Sequence, residues 1–200
     1  MDSIKTLWVD LETTGIDPCD SKIIELAAIC NDKVFHEYCI PDYFPIKFHE
    51  TTEITGITWE FLKENGISER EIYIRFIVFL DYIVDKFDKS DKMFFCGFST
   101  KFDSDFIREL FKKNRNNFYG SYFYSAIFDV MSVFAGEAIA GKVDIPENFQ
   151  LSTLCKEFNI EFKAHSAIED IKATIRLYEK LQREGVPCLP ENNIEKKLIT

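Results

Sequence analysis

Ile4-Lys5-Thr6-Leu7-Trp8-Val9-Asp10-Leu11-Glu12, followed by Thr13-Thr14-Gly15, alternates apolar Leu7, Val9 and Leu11 with Thr6, Trp8 and Asp10. The period of two predicts a β-strand over 4–12 with one apolar face, closed by a turn at the glycine. Downstream, residues 22–30 and 33–40 are β-rich runs separated only by Asn31-Asp32, a hairpin signal. Three such strands in series predict an antiparallel meander.

The rest of the chain changes period. Residues 41–57, with two prolines and Thr55-Gly56-Ile57, show no sustained repeat and read as a long surface loop. Ser68-x-x-Glu71 is a capping box, and Ile72, Phe76, Phe79, Leu80, Ile83 and Phe87 after it fall on one helical face. Residues 93–98 read as a short buried strand, and 103–114 as a helix with Phe106, Ile107, Leu110 and Phe111 inward. Further helices are predicted over 124–140, 151–158 and 166–183, the last stopped by Gly185 and Pro187. Strands in series, then helices alternating with strand, predict an α/β fold: a mixed sheet with helices on both faces.

Length and composition fit that reading. Two hundred residues, 46% hydrophobic, support one domain, expected over 1–185 with a C-terminal tail at 186–200. The six cysteines show no zinc spacing and are expected to be reduced thiols. No apolar stretch reaches the roughly 18 residues of a membrane span, so a cytoplasmic protein without membrane contact is expected. A formal charge of −10 excludes the bulk phosphate attraction of a basic nucleic-acid-coating protein. Nucleic acid, if bound, must be bound locally, where metal ions reverse the sign of an acidic site.

Three places carry chemistry. Asp10-x-Glu12 on a strand puts two hard oxygen donors on one face, able to converge on one hard cation. The pattern is common at solvated strand ends, so its weight rests on what joins it. His165 and Asp170 inside one helix would lie about 140° apart. Ser166-x-x-Glu169 is a capping box, however, which starts the helix at Ser166 and leaves His165 just outside, free to swing over a cation held by Asp170. Packing as a residue before the cap is the plainer role for such a histidine. Asp103 stands where the strand at 93–98 leads into a helix, with Asp105 as a competitor and capping as the ordinary use of either.

Together these residues resemble the DnaQ-like DEDDh exonucleases, a family of the ribonuclease H-like fold. The resemblance runs through Val9-Asp10-Leu11-Glu12-Thr13-Thr14-Gly15, Gly97-Phe98-Ser99-Thr100-Lys101-Phe102-Asp103 and His165-Ser166-Ala167-Ile168-Glu169-Asp170, with Thr55-Gly56-Ile57-Thr58 and Leu151-Ser152-Thr153-Leu154-Cys155 between them. It implies a five-stranded mixed sheet in the order 3-2-1-4-5, whose fifth strand is faint and falls near 125–130. It favours Asp103 over Asp105, because the family's aspartate directly follows an aromatic residue. It implies 3′→5′ hydrolysis of single-stranded or frayed DNA or RNA ends to nucleoside 5′-monophosphates, with two Mg²⁺ ions (Mn²⁺ substituting) held by Asp10, Glu12, Asp103 and Asp170. His165 would be the general base. Leu11, Thr14, Gly15, Thr55, Phe98, Ser99 and Phe102 would lie near substrate. The family usually has His-Asn where this chain has Phe98-Ser99, and often His in place of Thr55. A DNA polymerase, docked through the tail, is a further partner to expect. Arg108, Lys112 and Arg115 could steer a strand or form a solvated helix face, and Phe44, Phe48 and Trp59 could stack bases or pack the loop.

Overall fold

The computed structural model describes residues 4–45 and 48–183. The strand expected at 4–12 is β1 (Lys5–Thr13), and its Leu7, Val9 and Leu11 are buried. It pairs antiparallel with β2 (Ile23–Cys30), from Trp8↔Ile29 to Glu12↔Glu25, and β2 pairs with β3 (Lys33–Ile40), which completes the meander. At the hairpin, Asn31 takes φ 55°, a left-handed conformation that asparagine tolerates better than most residues.

The loop expected over 41–57 is in part a helix, α1 (Phe48–Thr55). Its sequence hides the period because only Phe48 and Thr51 are buried. Tertiary packing makes it: Phe48 joins Ile24, Ile57 and Leu62 in a small core, while the Thr52 and Thr55 hydroxyls bond back to the carbonyls of Phe48 and Thr51. A second short helix, α2 (Trp59–Asn65), is capped by Thr58, whose hydroxyl accepts from Phe61 N–H at 3.1 Å. The two-residue β4 (Ile67–Ser68) then pairs parallel to the end of β3, making the sheet six-stranded rather than five. Two residues are too few for any alternation to register.

The capping box at Ser68 opens α3 (Glu69–Ile83), with the Ser68 hydroxyl accepting from Glu71 N–H at 3.2 Å. The helix stops at Ile83 because Val84 turns extended, so Phe87 lies beyond it and is exposed, not inward as its spacing suggested. β5 (Met93–Gly97) and α4 (Lys101–Lys113) follow, the latter burying Phe106, Ile107, Leu110 and Phe111 as expected. After the single turn α5 (Tyr119–Tyr122), the helix read over 124–140 divides into β6 (Phe123–Asp129) and α6 (Val130–Ile139). The boundary is Asp129, whose carboxylate caps α6 by accepting from Met131 N–H. The aromatic and β-branched residues before it satisfy either period, and pairing with β5 decides for strand. α7 (Leu151–Glu157) and α8 (Ala167–Arg183) complete the described chain.

The sheet order is β4-β3-β2-β1-β5-β6, so the five longer strands stand in the implied order. One face carries Leu7, Val9, Leu11 and Phe95 under α3 and α4; the other carries Trp8 and Phe128 against α8, where both rings meet Tyr178. Cys30, Cys39, Cys96 and Cys155 are buried free thiols and Cys19 an exposed one, while Cys188, the stop at Gly185 and Pro187, and the tail 186–200 lie outside the described residues. No described helix is long and apolar enough to cross a membrane.

Candidate active site

At the centre of the sheet, β1 pairs antiparallel with β2 on one side and parallel with β5 on the other. Its parallel pairing with β5 runs only from Lys5↔Met93 to Trp8↔Cys96, after which β5 turns away at Gly97. A Cβ at Gly97 would stand 2.9 Å from the Val9 carbonyl oxygen, so glycine permits this close crossing. The opening beside the second half of β1 is where parallel strands usually receive a ligand. Asp10 and Glu12 lie on the sheet face opposite Leu7, Val9 and Leu11. Asp103, in the first turn of α4, enters from one side and is buried, its carboxylate accepting from the backbone N–H of Leu11. Asp105 instead points outward and pairs with Lys101. Asp170, in the first turn of α8, enters from the other side; Ala167 and Ile171 hold that turn down on Ala27 of β2.

One carboxylate oxygen each from Asp10, Glu12 and Asp170 fall within 4.8 Å of one another. Oδ1 of Asp170 is buried without a hydrogen-bond partner, and the ion pairs of the described residues use other carboxylates. The charges are correspondingly hard to form. Burial, with Asp103, Asp170, Glu12 and Glu25 around it, pushes Asp10 well above the usual carboxylate range. Burial and the charges of Asp170 and Glu25 push Glu12 up to about 8. Burial raises Asp170 to about 7, against the His165 backbone bond. Asp103 is likewise raised by burial, opposed by the backbone N–H groups it accepts from. Hard oxygen donors, crowded and without cationic partners among the described residues, with one oxygen left unbonded, are what a divalent cation requires.

These shifts give the metal-free protein a specific pH dependence. A carboxylate raised in the folded state loses stability as pH climbs from its unfolded value near 4 through its folded one. In chelator, the thermal midpoint is therefore expected to fall between pH 5 and 8, with Glu12→Gln showing a shallower fall and Mn²⁺ flattening it. A metal-free midpoint that climbs steadily across that range would contradict the assignment.

His165 stands one residue before Ser166, outside α8, exposed and at φ 63°. Its backbone N–H donates to Asp170 Oδ2 at 3.3 Å, so the residue is fixed beside the carboxylates by its main chain and not by its imidazole. Five of the residues expected near substrate, Leu11, Thr14, Gly15, Thr55 and Phe102, line one cleft of about 710 Å³ that has Glu12 in its wall. Phe98 and Ser99 do not join them. Phe98 packs in the core beneath α6 and α8, and Ser99, at φ 56°, donates its N–H to Asp129 Oδ1 at 2.9 Å. A larger cavity of about 910 Å³, between α7 and α8, touches none of the four carboxylates. The Arg108 guanidinium lies 3.9 Å over the Tyr119 ring and Lys112 pairs with Glu109, as on a solvated helix face. Phe44, Phe48 and Trp59 pack on one another, with centroids 5.1 to 5.4 Å apart.

The sequence profile of the exonuclease family RNase_T matches residues 7–178, which spans all four carboxylates and His165. The chain belongs to this exonuclease family. It is 28% identical to the PolC-type DNA polymerase III of Caldanaerobacter subterraneus over 92% of this chain and 12% of that protein. It is also 28% identical to exodeoxyribonuclease I of Buchnera aphidicola, over 90% of this chain and 40% of that protein. The structure of E. coli exonuclease I in complex with a dT13 oligonucleotide superimposes with TM-score 0.74 at 25% identity, covering 90% of this chain and 41% of that one. The chain thus spans well under half the length of these relatives.

Two residues of this exonuclease domain escaped the sequence reading. Asp129 binds Ser99 N–H, Met131 N–H and, at 2.8 Å, the Ser132 hydroxyl, and with Thr100 Oγ1 donating to Phe128 O at 2.9 Å it straps the turn before Asp103 to β6. Glu25, 1% exposed, lies directly opposite Glu12 in the β1–β2 ladder. Its signal was present in the sequence: a lone charge within Ile23-Ile24-Glu25-Leu26-Ala27-Ala28.

Proposed function

We propose that this chain is a divalent-metal-dependent 3′→5′ exonuclease that releases nucleoside 5′-monophosphates from single-stranded or frayed ends. The observation that carries the proposal is the convergence of Asp10, Glu12 and Asp170 within 4.8 Å, with buried Asp103 alongside and Glu12 in the wall of an open cleft. Asp10, Glu12, Asp103 and Asp170 would hold two Mg²⁺ ions, or Mn²⁺ in their place. Bound there, the cations supply neutralisation of phosphodiester charge and activation of water. His165 would take the proton from the attacking water. Leu11, Thr14, Gly15, Thr55 and Phe102 would receive the terminal nucleotide, while Phe98 and Ser99 act on the turn that places Asp103. The likeness to exonuclease I held on an oligonucleotide supports a single strand as substrate. A polymerase partner is suggested only by similarity to PolC, since the tail expected to dock it lies outside the described residues.

A second strand would bring uncompensated phosphate to a surface of net charge −10, so paired ends should be poor substrates. Linear and circular single strands, a 3′-phosphorylated strand and a blunt duplex, in DNA and RNA versions, should be offered under one Mg²⁺ concentration. The linear strand is expected to be shortened from its 3′ end to mononucleotides, the circle to survive, and the blocked and blunt ends to react slowly. Cutting of the circle at a comparable rate would show an endonuclease and end this reading of polarity.

A further inference from the structure

Glu25 is a buried carboxylate next to the candidate site for which the chemistry above has no task. It shares the β-sheet face of Asp10 and Glu12, and its charge bears on Asp10, Glu12 and Asp170, the three residues of the convergent group, although it lies outside that group itself. From the opposite side it is braced by β3. His36 Nε2–H donates to Glu25 Oε1 at 2.7 Å, and the Tyr38 hydroxyl donates to the same carboxylate. The brace is itself packed: the His36 and Tyr38 rings lie 5.2 Å apart, and Tyr38 meets Phe61 edge-on at 4.8 Å.

Even with His36 beside it, this arrangement is costly unless a further positive charge comes near the cluster. A desolvated carboxylate facing like charges is worse for the fold than a packed neutral side chain of the same size, and the surrounding Ile24, Leu26 and Ala27 show that the strand accommodates apolar groups. His36 and Tyr38 hold the carboxylate from the β3 side, which keeps it in place across the ladder from Glu12. Residues that stand behind metal ligands in this way set the affinity of the centre, and losing one typically weakens it by about 10–100-fold.

We propose that Glu25, held by His36 and Tyr38, is a positioning residue of the metal centre: it does not ligate, but its fixed negative charge strengthens the hold of Asp10, Glu12 and Asp170 on divalent cations. The inference rests on the metal-dependent reading of the site, and its test is independent of hydrolysis. Mn²⁺ is titrated into the full chain without nucleic acid, and free Mn²⁺ is followed by its paramagnetic resonance signal. Glu25→Gln keeps the shape and can still accept from His36, so the fold should hold, with a thermal midpoint in chelator equal to or above that of the parent. Its Mn²⁺ dissociation constant is expected to rise about 10–100-fold. His36→Gln, which retains an N–H toward Glu25, should bind within about threefold of the parent, whereas His36→Leu should lose roughly tenfold. Glu25→Gln binding within twofold of the parent would overturn the proposal, and if that variant does not fold, parent-like binding by His36→Leu does so. Tight Mn²⁺ binding that depends on Glu25 in a protein that fails to degrade 3′ ends would retain this inference and reject the exonuclease reading instead.

Discussion

Asp10→Ala, alone or with Glu12→Ala, is expected to reduce hydrolysis of an end-labelled oligonucleotide below detection while leaving the protein folded. Asp10 is the residue on which the other carboxylates converge: its ionisation is opposed by burial and by Asp103, Asp170, Glu12 and Glu25. On the proposed reading its removal would take away one donor to the cation and, in the same step, relieve the repulsion that the metal-free fold carries. Calorimetry in chelator should therefore give a thermal midpoint equal to or above the parent's, and a cleavage assay should give nothing. Near-normal turnover by the purified double variant would remove these residues from the chemistry.

The second large effect separates proton transfer from cation binding. His165→Ala is expected to slow hydrolysis by about 10²–10⁴, the usual contribution of a general base. Cation affinity should barely change, because the contact from residue 165 to Asp170 is made by the backbone N–H, which alanine keeps. Asp170→Ala is the comparison: it should weaken Mn²⁺ binding and activity together. If titration calorimetry shows His165→Ala losing as much affinity as Asp170→Ala, the histidine is a ligand and its assigned role is wrong.

Local patterns with one reading were legible in the sequence. The alternation in β1, the Asn31-Asp32 hairpin and the Ser68 capping box each act over a few residues and need no tertiary help. The carboxylates of the site were legible for a related reason, since strand period and helix starts dictate which way Asp10, Glu12 and Asp170 face. What was missed depends on distant partners. α1 exists because Phe48 finds Ile24 and Leu62, and β6 because β5 is there to pair with it. Glu25 reads as an interruption of an apolar strand until Glu12 appears opposite it and His36 beside it. Ser99 shows the same dependence. Its left-handed backbone, which costs an ordinary residue about 1–2 kcal/mol, suits the asparagine that the family usually has there, and here Asp129 supplies the compensating bond.

The unequal anchoring of the site sets an order of failure. Asp10 and Glu12 sit within the β1–β2 ladder, whose amides exchange with solvent only when much of the sheet opens. His165 rides on an exposed, left-handed residue outside α8, where a far smaller opening suffices. On warming, then, His165 is expected to lose its placement before Asp10 and Glu12 lose theirs, and any activity lost that way should return on cooling as long as the sheet has not yet come apart.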